Sequence, residues 1–281
     1  MNIDDKDYEN ISPTAIVTSY PRTFTNIPYE KEIFNYLKSN CNTEVILNKE
    51  LAPEIEARYK LINNLLDKSN IKQVVELASG YSSRGLIYSK ADYNYIEVDL
   101  NNVINIKLKL INNVFGDLNE NHHLISGNVL KDEVFKNIDN YLNKNESICI
   151  VNEGLLRYLN FEEKKIVAKN IYNLLSSHGG VWITSDVTPK KFIISQDKAV
   201  SNFNDTLTNI TSRNNIDNRF NDINHVKTFF GELGFDLVEV HKFSEVKNDL
   251  YSINNLNIIN NNIDKTLEEA IVVIMAIKKE K

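Results

Sequence analysis

Two residues in the middle of this 281-residue sequence have the types and spacing of a nucleoside-binding pair. Gly80 lies in a turn of small residues after an apolar run, and Asp99 follows the next apolar run about 20 residues later. Glycine lets a ligand approach the backbone closely, and a carboxylate at this distance can accept hydrogen bonds from both hydroxyls of a ribose. The alternative for Asp99 is to cap a helix that starts before Val103.

The glycine turn also bears on which nucleoside cofactor would bind. A dinucleotide site favours Gly-x-Gly-x-x-Gly, whereas the corresponding positions here are Ala78, Gly80 and Ser83. Glu76, at the end of the preceding run, would repel a pyrophosphate, but it could order the turn or attract the ammonium of an amino-acid moiety. S-adenosylmethionine has no phosphate and fits this turn better than a nicotinamide dinucleotide, which stays open as the alternative.

Glu153 is a further acidic residue at the end of an apolar run. A carboxylate there is costly to bury without a partner, and a cationic ligand would supply one. The alternative is an internal ion pair with Arg84, Arg157 or another base. The histidines are scattered, and the adjacent His122 and His123 are predicted to lie at the surface or at a strand start, so we expect no metal site.

Alternating strands and helices would bring these residues to one edge of a sheet. The clearest helix covers 161–175, with Asn160 and Glu163 as a capping box and Gly179 and Gly180 at its end. The order of elements indicates βαβ units, with five parallel strands followed by an antiparallel pair. Ligands bind at the carboxyl ends of the strands in such a sheet. Apolar runs predict strands over 73–77, 93–98, 123–125, 147–151, 180–184, 235–240 and 270–277.

Two regions flank or interrupt this alternation. Residues 1–70 are predicted to form a mostly helical cap segment, with one helix that starts at Ser12 and another over 54–66. Residues 71–281 would form the sheet domain, with an inserted cover segment near 187–222. Asn224 is predicted to cap a helix that reaches Leu233, and no convincing helical pattern is present over 242–264.

Composition and charge exclude several classes of protein. Apolar residues make up 42% and charged residues 25%, as in an ordinary globular protein. The net charge of −6 disfavours a nucleic-acid-binding protein, which normally has a basic surplus. The longest apolar run, over 270–277, is far shorter than the roughly 20 residues that span a bilayer, and no signal peptide opens the sequence. We therefore expect a cytoplasmic protein that binds neither nucleic acid nor membrane.

Taken together, the motifs resemble the leucine carboxyl methyltransferase family of S-adenosylmethionine-dependent enzymes, especially its bacterial branch labelled polyketide O-methyltransferases. The most specific piece is the string Glu-Gly-Leu-Leu-x-Tyr-Leu that begins at Glu153. The resemblance implies a Rossmann-like class I methyltransferase fold, with a mainly parallel seven-stranded sheet and an antiparallel C-terminal strand pair. The matching segments are 14–15 with Arg22, Arg58, 74–80 with 84–86, 95–100, 127–130, 152–156 with 158–159, and 179–184.

The resemblance also implies a role for each matching residue. Gly80 would lie under the methionine part of the cofactor, and Asp99 would hold the ribose hydroxyls. Arg58 and Arg22 would hold the methionine carboxylate, for which a guanidinium fork is well shaped. The remaining cofactor-binding residues would be Glu153 near the ammonium and sulfonium end, Asn128 and Val129 beside the adenine, and Glu76 at the end of the first strand. Tyr158 would lie toward the transfer site as the candidate catalytic residue.

These inferences predict an S-adenosylmethionine-dependent O-methyltransferase. The acceptor would be a carboxylate or hydroxyl of a small molecule, or a C-terminal carboxylate. A carboxylate is already ionised near neutral pH and needs no general base, which mildly favours an acidic acceptor. The alternatives are a nicotinamide-dependent oxidoreductase and a non-catalytic protein that binds S-adenosylmethionine as a partner of another protein. The sequence leaves the oligomeric state open.

Overall fold

The computed structural model describes residues 12–41, 48–190, 218–259 and 262–279. Its strands form one seven-stranded sheet in the order β3-β2-β1-β4-β5-β7-β6. Strands β1 to β5 pair in parallel, and β7 is antiparallel to both β5 and β6. The strands are β1 (Gln73–Leu77), β2 (Asn94–Asp99), β3 (His122–Ser126), β4 (Ile148–Asn152), β5 (Gly180–Thr184), β6 (Phe235–Lys242) and β7 (Ile271–Ile277).

Helices cover both faces of this sheet, as expected when βαβ connections bury a parallel sheet on both sides. The helices of the described ranges are α1 (Ser12–Arg22), α2 (Glu30–Asn40), α3 (Ala52–Ser69), α4 (Arg84–Tyr88), α5 (Asn101–Val114), α6 (Asp132–Asp139), α7 (Phe161–His178), α8 (Ile223–Glu232), α9 (Tyr251–Asn254) and α10 (Ile263–Glu269). Short 3₁₀ turns lie at Lys49–Leu51, Ser89–Ala91, Leu156–Tyr158 and Phe243–Asp249. No helix in these ranges is both long enough and apolar enough to cross a membrane.

The core lies in two layers, one on each face of the sheet. Helices α6, α7 and α8 pack on one face around the fully buried Trp182 of β5. Helices α3 and α10 pack on the other face, against side chains such as Tyr95 and Cys149. Helices α1 and α2 lie further out, where Ile16 and Leu37 pack with residues of α5.

The strand order positions the candidate site. The chain runs outward from β1 to β2 and β3 on one side, and from β4 to β5 on the other, so the order reverses between β1 and β4. The loops at the carboxyl ends of these two strands therefore open onto the crevice where ligands bind in this architecture. The predicted sheet, including its antiparallel C-terminal pair, is confirmed.

Local sequence signals at the helix ends are confirmed in one case and wrong in another. Asn160 and Glu163 form the predicted capping box at the start of α7, and Gly179 ends that helix with φ 72°. The predicted cap at Asn224 is wrong. Asp222 caps α8 instead, because its carboxylate accepts a hydrogen bond from the His225 N–H at 2.9 Å.

The prediction that 242–264 lacks helices is also wrong. The segment contains the 3₁₀ turn at Phe243–Asp249, helix α9 and the start of α10. Each element is only four to seven residues long, which is too short for a helical period to stand out among asparagines. Buried Phe243, Val246 and Leu250 hold this region in the α3 layer. Most of the predicted cover segment, 191–217, lies outside the described residues, and the division at residue 70 stays a prediction.

Candidate active site

The glycine turn and Asp99 are in direct contact. The turn after β1 contains two residues with left-handed backbone, Ala78 (φ 54°) and Gly80 (φ 52°). This conformation aims the Gly80 N–H at Asp99 Oδ2, 2.7 Å away. Asp99 Oδ1 accepts from the Leu100 N–H, also at 2.7 Å. Burial raises the pKa of Asp99, although these two hydrogen bonds act in the opposite direction. Asp99 does not cap α5, whose N-cap residue is Leu100.

The loop after β3 joins the same rim of the sheet. The Gly127 N–H donates to the Asp99 backbone carbonyl at 2.9 Å. The next two residues, Asn128 and Val129, are both buried. Asn128 Oδ1 accepts from the Leu130 N–H at 3.0 Å, which fixes the turn. The structure therefore places the three predicted nucleoside-side positions, Asp99, Asn128 and Val129, at neighbouring strand ends.

Glu153 lies at the centre of a cluster of arginines. Its Oε1 accepts from Arg22 Nη2 at 3.2 Å and from Arg58 Nε at 2.9 Å, and its Oε2 accepts from Arg84 Nη2 at 3.0 Å. The Glu153 side chain is only 4% exposed. Burial alone would raise its pKa, but Arg58, Arg22 and Arg84 outweigh burial and lower the pKa well below its ordinary value. The internal ion pair considered for Glu153 is present, and it includes both arginines predicted to hold a carboxylate.

Glu76 belongs to the same cluster through Arg84. Arg84 Nη1 donates to Glu76 Oε1, and the Tyr95 hydroxyl donates to Glu76 Oε2 at 2.9 Å. Glu30 completes the cluster, because its Oε1 accepts from the Ser83 N–H at 3.2 Å and its Oε2 lies 4.0 Å from Arg22 Nη1. The cluster thus balances three carboxylates against three guanidiniums, Arg22, Arg58 and Arg84. Glu76 acts on the turn by holding the helix that follows it.

Tyr158 lies near two guanidiniums, those of Arg157 and Arg219. The Arg157 guanidinium carbon is 5.7 Å from the centre of the Tyr158 ring. Buried Lys164 donates to the Leu159 carbonyl and to the Asn218 carbonyl, the latter at 2.6 Å. Burial lowers the pKa of Lys164 to about 7. Burial and then Arg157 lower the pKa of Arg219 to about 9.

Sequence reasoning missed a hydrogen-bond network that shapes the loop after β4, which begins at Glu153 and is called the Glu153 loop below. Asp186, just after β5, accepts hydrogen bonds from the Gly154, Leu155 and Leu156 N–H groups at 2.6–2.9 Å. It also accepts from Asn152 Nδ2 at 2.7 Å. The signal was available, since an acidic residue directly after a buried strand stands at the same edge as Asp99 and Glu153.

A second buried network involves Glu97 of β2. Its carboxylate is bonded to Lys107 Nζ and lies 2.9 Å from His122 Nε2. His122 begins β3, as one of the two predicted placements has it, but its side chain is buried and not at the surface. Sequence reasoning assigned no role to Glu97 or Lys107, because a strand and a helix bring them together only in the folded chain.

The sheet order and the helices on both faces form the Rossmann-like fold of class I methyltransferases. A protein of Thermobifida fusca YX classed as a methyltransferase aligns with a TM-score of 0.58 at 13% identity, over 94% of this chain and 95% of that one. Magnesium protoporphyrin IX methyltransferase from Synechocystis PCC 6803, solved with bound S-adenosylmethionine, aligns with a TM-score of 0.51 at 9% identity, over 96% and 98%. Identities this low establish the fold alone.

Sequence comparison then gives the family. The model of the leucine carboxyl methyltransferase family matches residues 29–172, just over half of the chain. The chain belongs to this family, and S-adenosylmethionine is its cofactor. No curated protein matches the sequence. The predicted resemblance is confirmed at the level of the family, and the narrower bacterial branch stays a prediction.

Proposed function

We propose that this methyltransferase transfers the methyl group of S-adenosylmethionine to a carboxylate oxygen of its acceptor. The observation that carries the proposal is the pair of guanidiniums near Tyr158. Arg157 lies against its ring, and Arg219 interacts with both residues. The Nε of Arg219 is buried and makes no hydrogen bond within the described ranges. A desolvated guanidinium gains most from an anionic partner, because burial removes the water that would otherwise solvate its charge.

Two carboxylates already lie in the field of Arg219, and they do not remove this preference. Asp186 attracts Arg219, but its oxygens accept four hydrogen bonds from the Glu153 loop and its neighbour Asn152. Glu54 also attracts Arg219, yet no ion pair within 4.0 Å joins Arg219 to a described carboxylate. Arg219 thus favours an acceptor that brings a negative charge.

The arginine–glutamate cluster fits the amino-acid end of the cofactor. An arginine of the cluster can leave its glutamate to bind the carboxylate of a zwitterion, and the glutamate can then bind the ammonium of that zwitterion. Arg22 has a donor that the ligand could use, since its Nε is buried without a hydrogen bond in the described structure. We propose that Arg58 and Arg22 hold the methionine carboxylate and that Glu153 holds the ammonium.

The nucleoside end of the cofactor would lie along the carboxyl ends of β1, β2 and β3, from Gly80 to Val129. Each Asp99 oxygen accepts one backbone hydrogen bond and keeps a further lone pair for a ribose hydroxyl. Gly80 would lie under the methionine part, next to Ala15, and Asn128 and Val129 would border the adenine. Glu76 contributes indirectly, by holding Arg84.

A carboxylate acceptor also simplifies the chemistry asked of the protein. S-adenosylmethionine supplies a methyl group on a positively charged sulfur, so a bond from carboxylate oxygen to methyl forms while the bond from sulfur to methyl breaks. No proton has to move, because an ionised carboxylate is the attacking group at neutral pH. The chain's residues need only orient the acceptor and exclude water. Tyr158 would border the acceptor and needs no role as a base.

The test is an assay of S-adenosylhomocysteine release with a panel of aliphatic and aromatic carboxylic acids, matched to phenols and alcohols of the same shape. We expect turnover with an acid, and a methyl ester that releases methanol in mild alkali. Turnover with phenols or alcohols only, or a product stable to alkali, would contradict a carboxylate acceptor.

A matched pair of variants places the acceptor site. Arg219→Gln should raise the KM for the acid at least tenfold and leave S-adenosylmethionine affinity within twofold, because Arg219 interacts with Tyr158 and forms no ion pair with Glu153. Lys165→Gln, in an exposed ion pair with Glu162 on α7, should change neither. An unchanged KM in Arg219→Gln would remove Arg219 from the acceptor site. The nicotinamide-dependent alternative is set aside, because the fold and the family are those of methyltransferases.

A further inference from the structure

We propose that Arg84 is a positioning residue, which fixes Glu153 Oε2 so that Glu153 Oε1 is presented to the cofactor's ammonium. The inference rests on the role proposed above for Glu153, and it concerns a residue that never touches the cofactor. Of the two Glu153 oxygens, Oε2 would bind the protein and Oε1 would bind the ligand.

The first support is that Arg84 is anchored on three sides. Its Nη1 donates to Glu76 on β1, and its Nε donates to Asn63 Oδ1 on α3 at 2.7 Å. Its Nη2 donates to Glu153 Oε2 at 3.0 Å. The guanidinium carbon also lies 4.3 Å from the centre of the Tyr59 ring. The Arg84 side chain is fully buried, so its position is set by the fold and does not depend on a ligand.

The second support is the contrast between the two Glu153 oxygens. Oε2 is held by the fully buried Arg84, whereas Oε1 is shared by Arg22 and Arg58. The side chains of these two arginines are 7% and 12% exposed, so this side of the carboxylate is the more open one. When a zwitterion enters, its carboxylate can draw Arg22 and Arg58 away and its ammonium can take their place at Oε1.

The third support is charge balance. The cluster contains three carboxylates and three guanidiniums, and a zwitterion adds one charge of each sign. The exchange therefore leaves no buried charge without a partner, which is the costly outcome in a low-dielectric site. When Arg22 and Arg58 turn to the ligand, Arg84 is the guanidinium of the cluster that stays bonded to Glu153. Arg84 is therefore essential to that balance.

A guanidinium is required for this geometry. Arg84 spans two carboxylates and an amide with separate N–H groups in a planar fork, which the single ammonium of lysine cannot reproduce. Arg84→Lys keeps the charge and removes the fork. The variant thus isolates the orientation of Glu153 from the simple presence of a positive charge.

The experiment compares two ligands by calorimetry. S-adenosylmethionine carries the amino-acid end, and 5′-methylthioadenosine lacks it. In Arg84→Lys we expect the affinity for S-adenosylmethionine to fall at least tenfold and that for 5′-methylthioadenosine to change less than twofold. Lys136→Met, which breaks an exposed ion pair with Asp132, is the control and should leave both affinities unchanged.

Other outcomes overturn the proposal. If both affinities fall by the same factor, Arg84 has a general structural role, and if neither falls, Glu153 does not depend on it. Should Arg84→Lys fail to fold, Glu76→Gln loosens the same guanidinium from β1 and is expected to reduce the affinity for S-adenosylmethionine selectively. Equal or absent losses in Glu76→Gln would overturn the proposal too. Glu153→Gln in the same comparison tests the role proposed for Glu153. An unchanged affinity there removes Glu153 from the site, whereas a selective loss there without one in Arg84→Lys overturns only the role of Arg84.

Discussion

At the scale of single residues, the site depends on groups that serve two partners at once. Asp99 joins the end of β2 to the glycine turn after β1, and Glu153 joins α1, α3 and α4 through their arginines. Such residues cannot be replaced without moving a neighbour. Their binding role and their structural role must therefore be separated by the choice of variant and readout.

Asp99 gives the sharpest test at this scale. Asp99→Ala should weaken S-adenosylmethionine binding at least tenfold in calorimetry, about 1.4 kcal/mol, because it removes the acceptor that we propose for both ribose hydroxyls. Asp99→Asn, which keeps one acceptor oxygen, should fall between wild type and alanine. The exposed Asp117→Ala is the matched control and should bind as wild type does. Unchanged affinity in Asp99→Ala would remove Asp99 from the cofactor site.

Gly85 shows how closely α4 approaches the sheet. A Cβ at this position would overlap both Glu97 Oε1 and His122 Nε2, two buried atoms that have no room to retreat. Gly85→Ala should lower the free energy of unfolding by about 2 kcal/mol or more in urea denaturation, as overpacking of a dense core does. Gly231→Ala, in α8, meets only an ordinary contact with Lys278 and should leave the protein equally or more stable, since alanine favours a helix. Equal effects of the two changes would contradict this packing.

At the scale of elements, the sequence predicts what is encoded locally. The strands are short apolar runs, and the α7 capping box is specified by Asn160 and Glu163 within four residues. Both are therefore visible without knowledge of the fold. The short helices over 242–264 are not, because they are held by burial against α3 and not by their own periodicity.

The candidate site divides in the same way. Gly80, Asp99 and Glu153 were predictable because each lies at the end of a buried strand or within three residues after it. Which bases pair with Glu153 depends on which elements meet in space. The sequence offers Arg84 only as one of several candidates, and it does not bring Arg22 and Arg58 to the same carboxylate. The pairing of Glu97 with Lys107 and His122 is hidden for the same reason.

Asp186 tests whether the loop after β4 is held by one side chain. Asp186→Ala removes the acceptor of three loop N–H groups and of the Asn152 amide. Buried donors left without acceptors cost about 1–3 kcal/mol each when no water replaces the acceptor. We therefore expect a lower thermal midpoint and weaker binding of S-adenosylmethionine, because Glu153 stands at the start of this loop. The control is Glu162→Ala, which removes an exposed acid from an ion pair of α7. It should change neither the thermal midpoint nor the affinity for S-adenosylmethionine. A wild-type affinity in Asp186→Ala would show that the loop keeps its shape without it.

At the scale of the whole molecule, two buried charge networks lie on the same side of the sheet, in a chain with a net charge of −6. One network surrounds Glu153 and Glu76, and the other surrounds Glu97. Buried ion pairs are weak evidence for stability in themselves, since desolvation offsets their attraction. They do make the folded state sensitive to the protonation of their carboxylates.

Acid should therefore weaken the fold through Glu97. Burial would raise its pKa, but Lys107 and His122 outweigh burial and lower the pKa from 4.5 to about 2. Between these values the unfolded chain binds a proton that the folded chain does not, so the stability contributed by Glu97 is full above pH 4.5 and is lost as the pH falls toward 2. Each such group adds about 1.4 kcal/mol per pH unit to the slope. The free energy of unfolding, measured in urea at pH 5.5, 4.5 and 3.5, should show this slope. In the double variant Glu97→Gln with Lys107→Met, the slope should be smaller by the contribution of about one proton. Asp132→Asn, in an exposed pair, should keep the wild-type slope, and an unreduced slope in the paired variant would show that Glu97 is not the group that titrates.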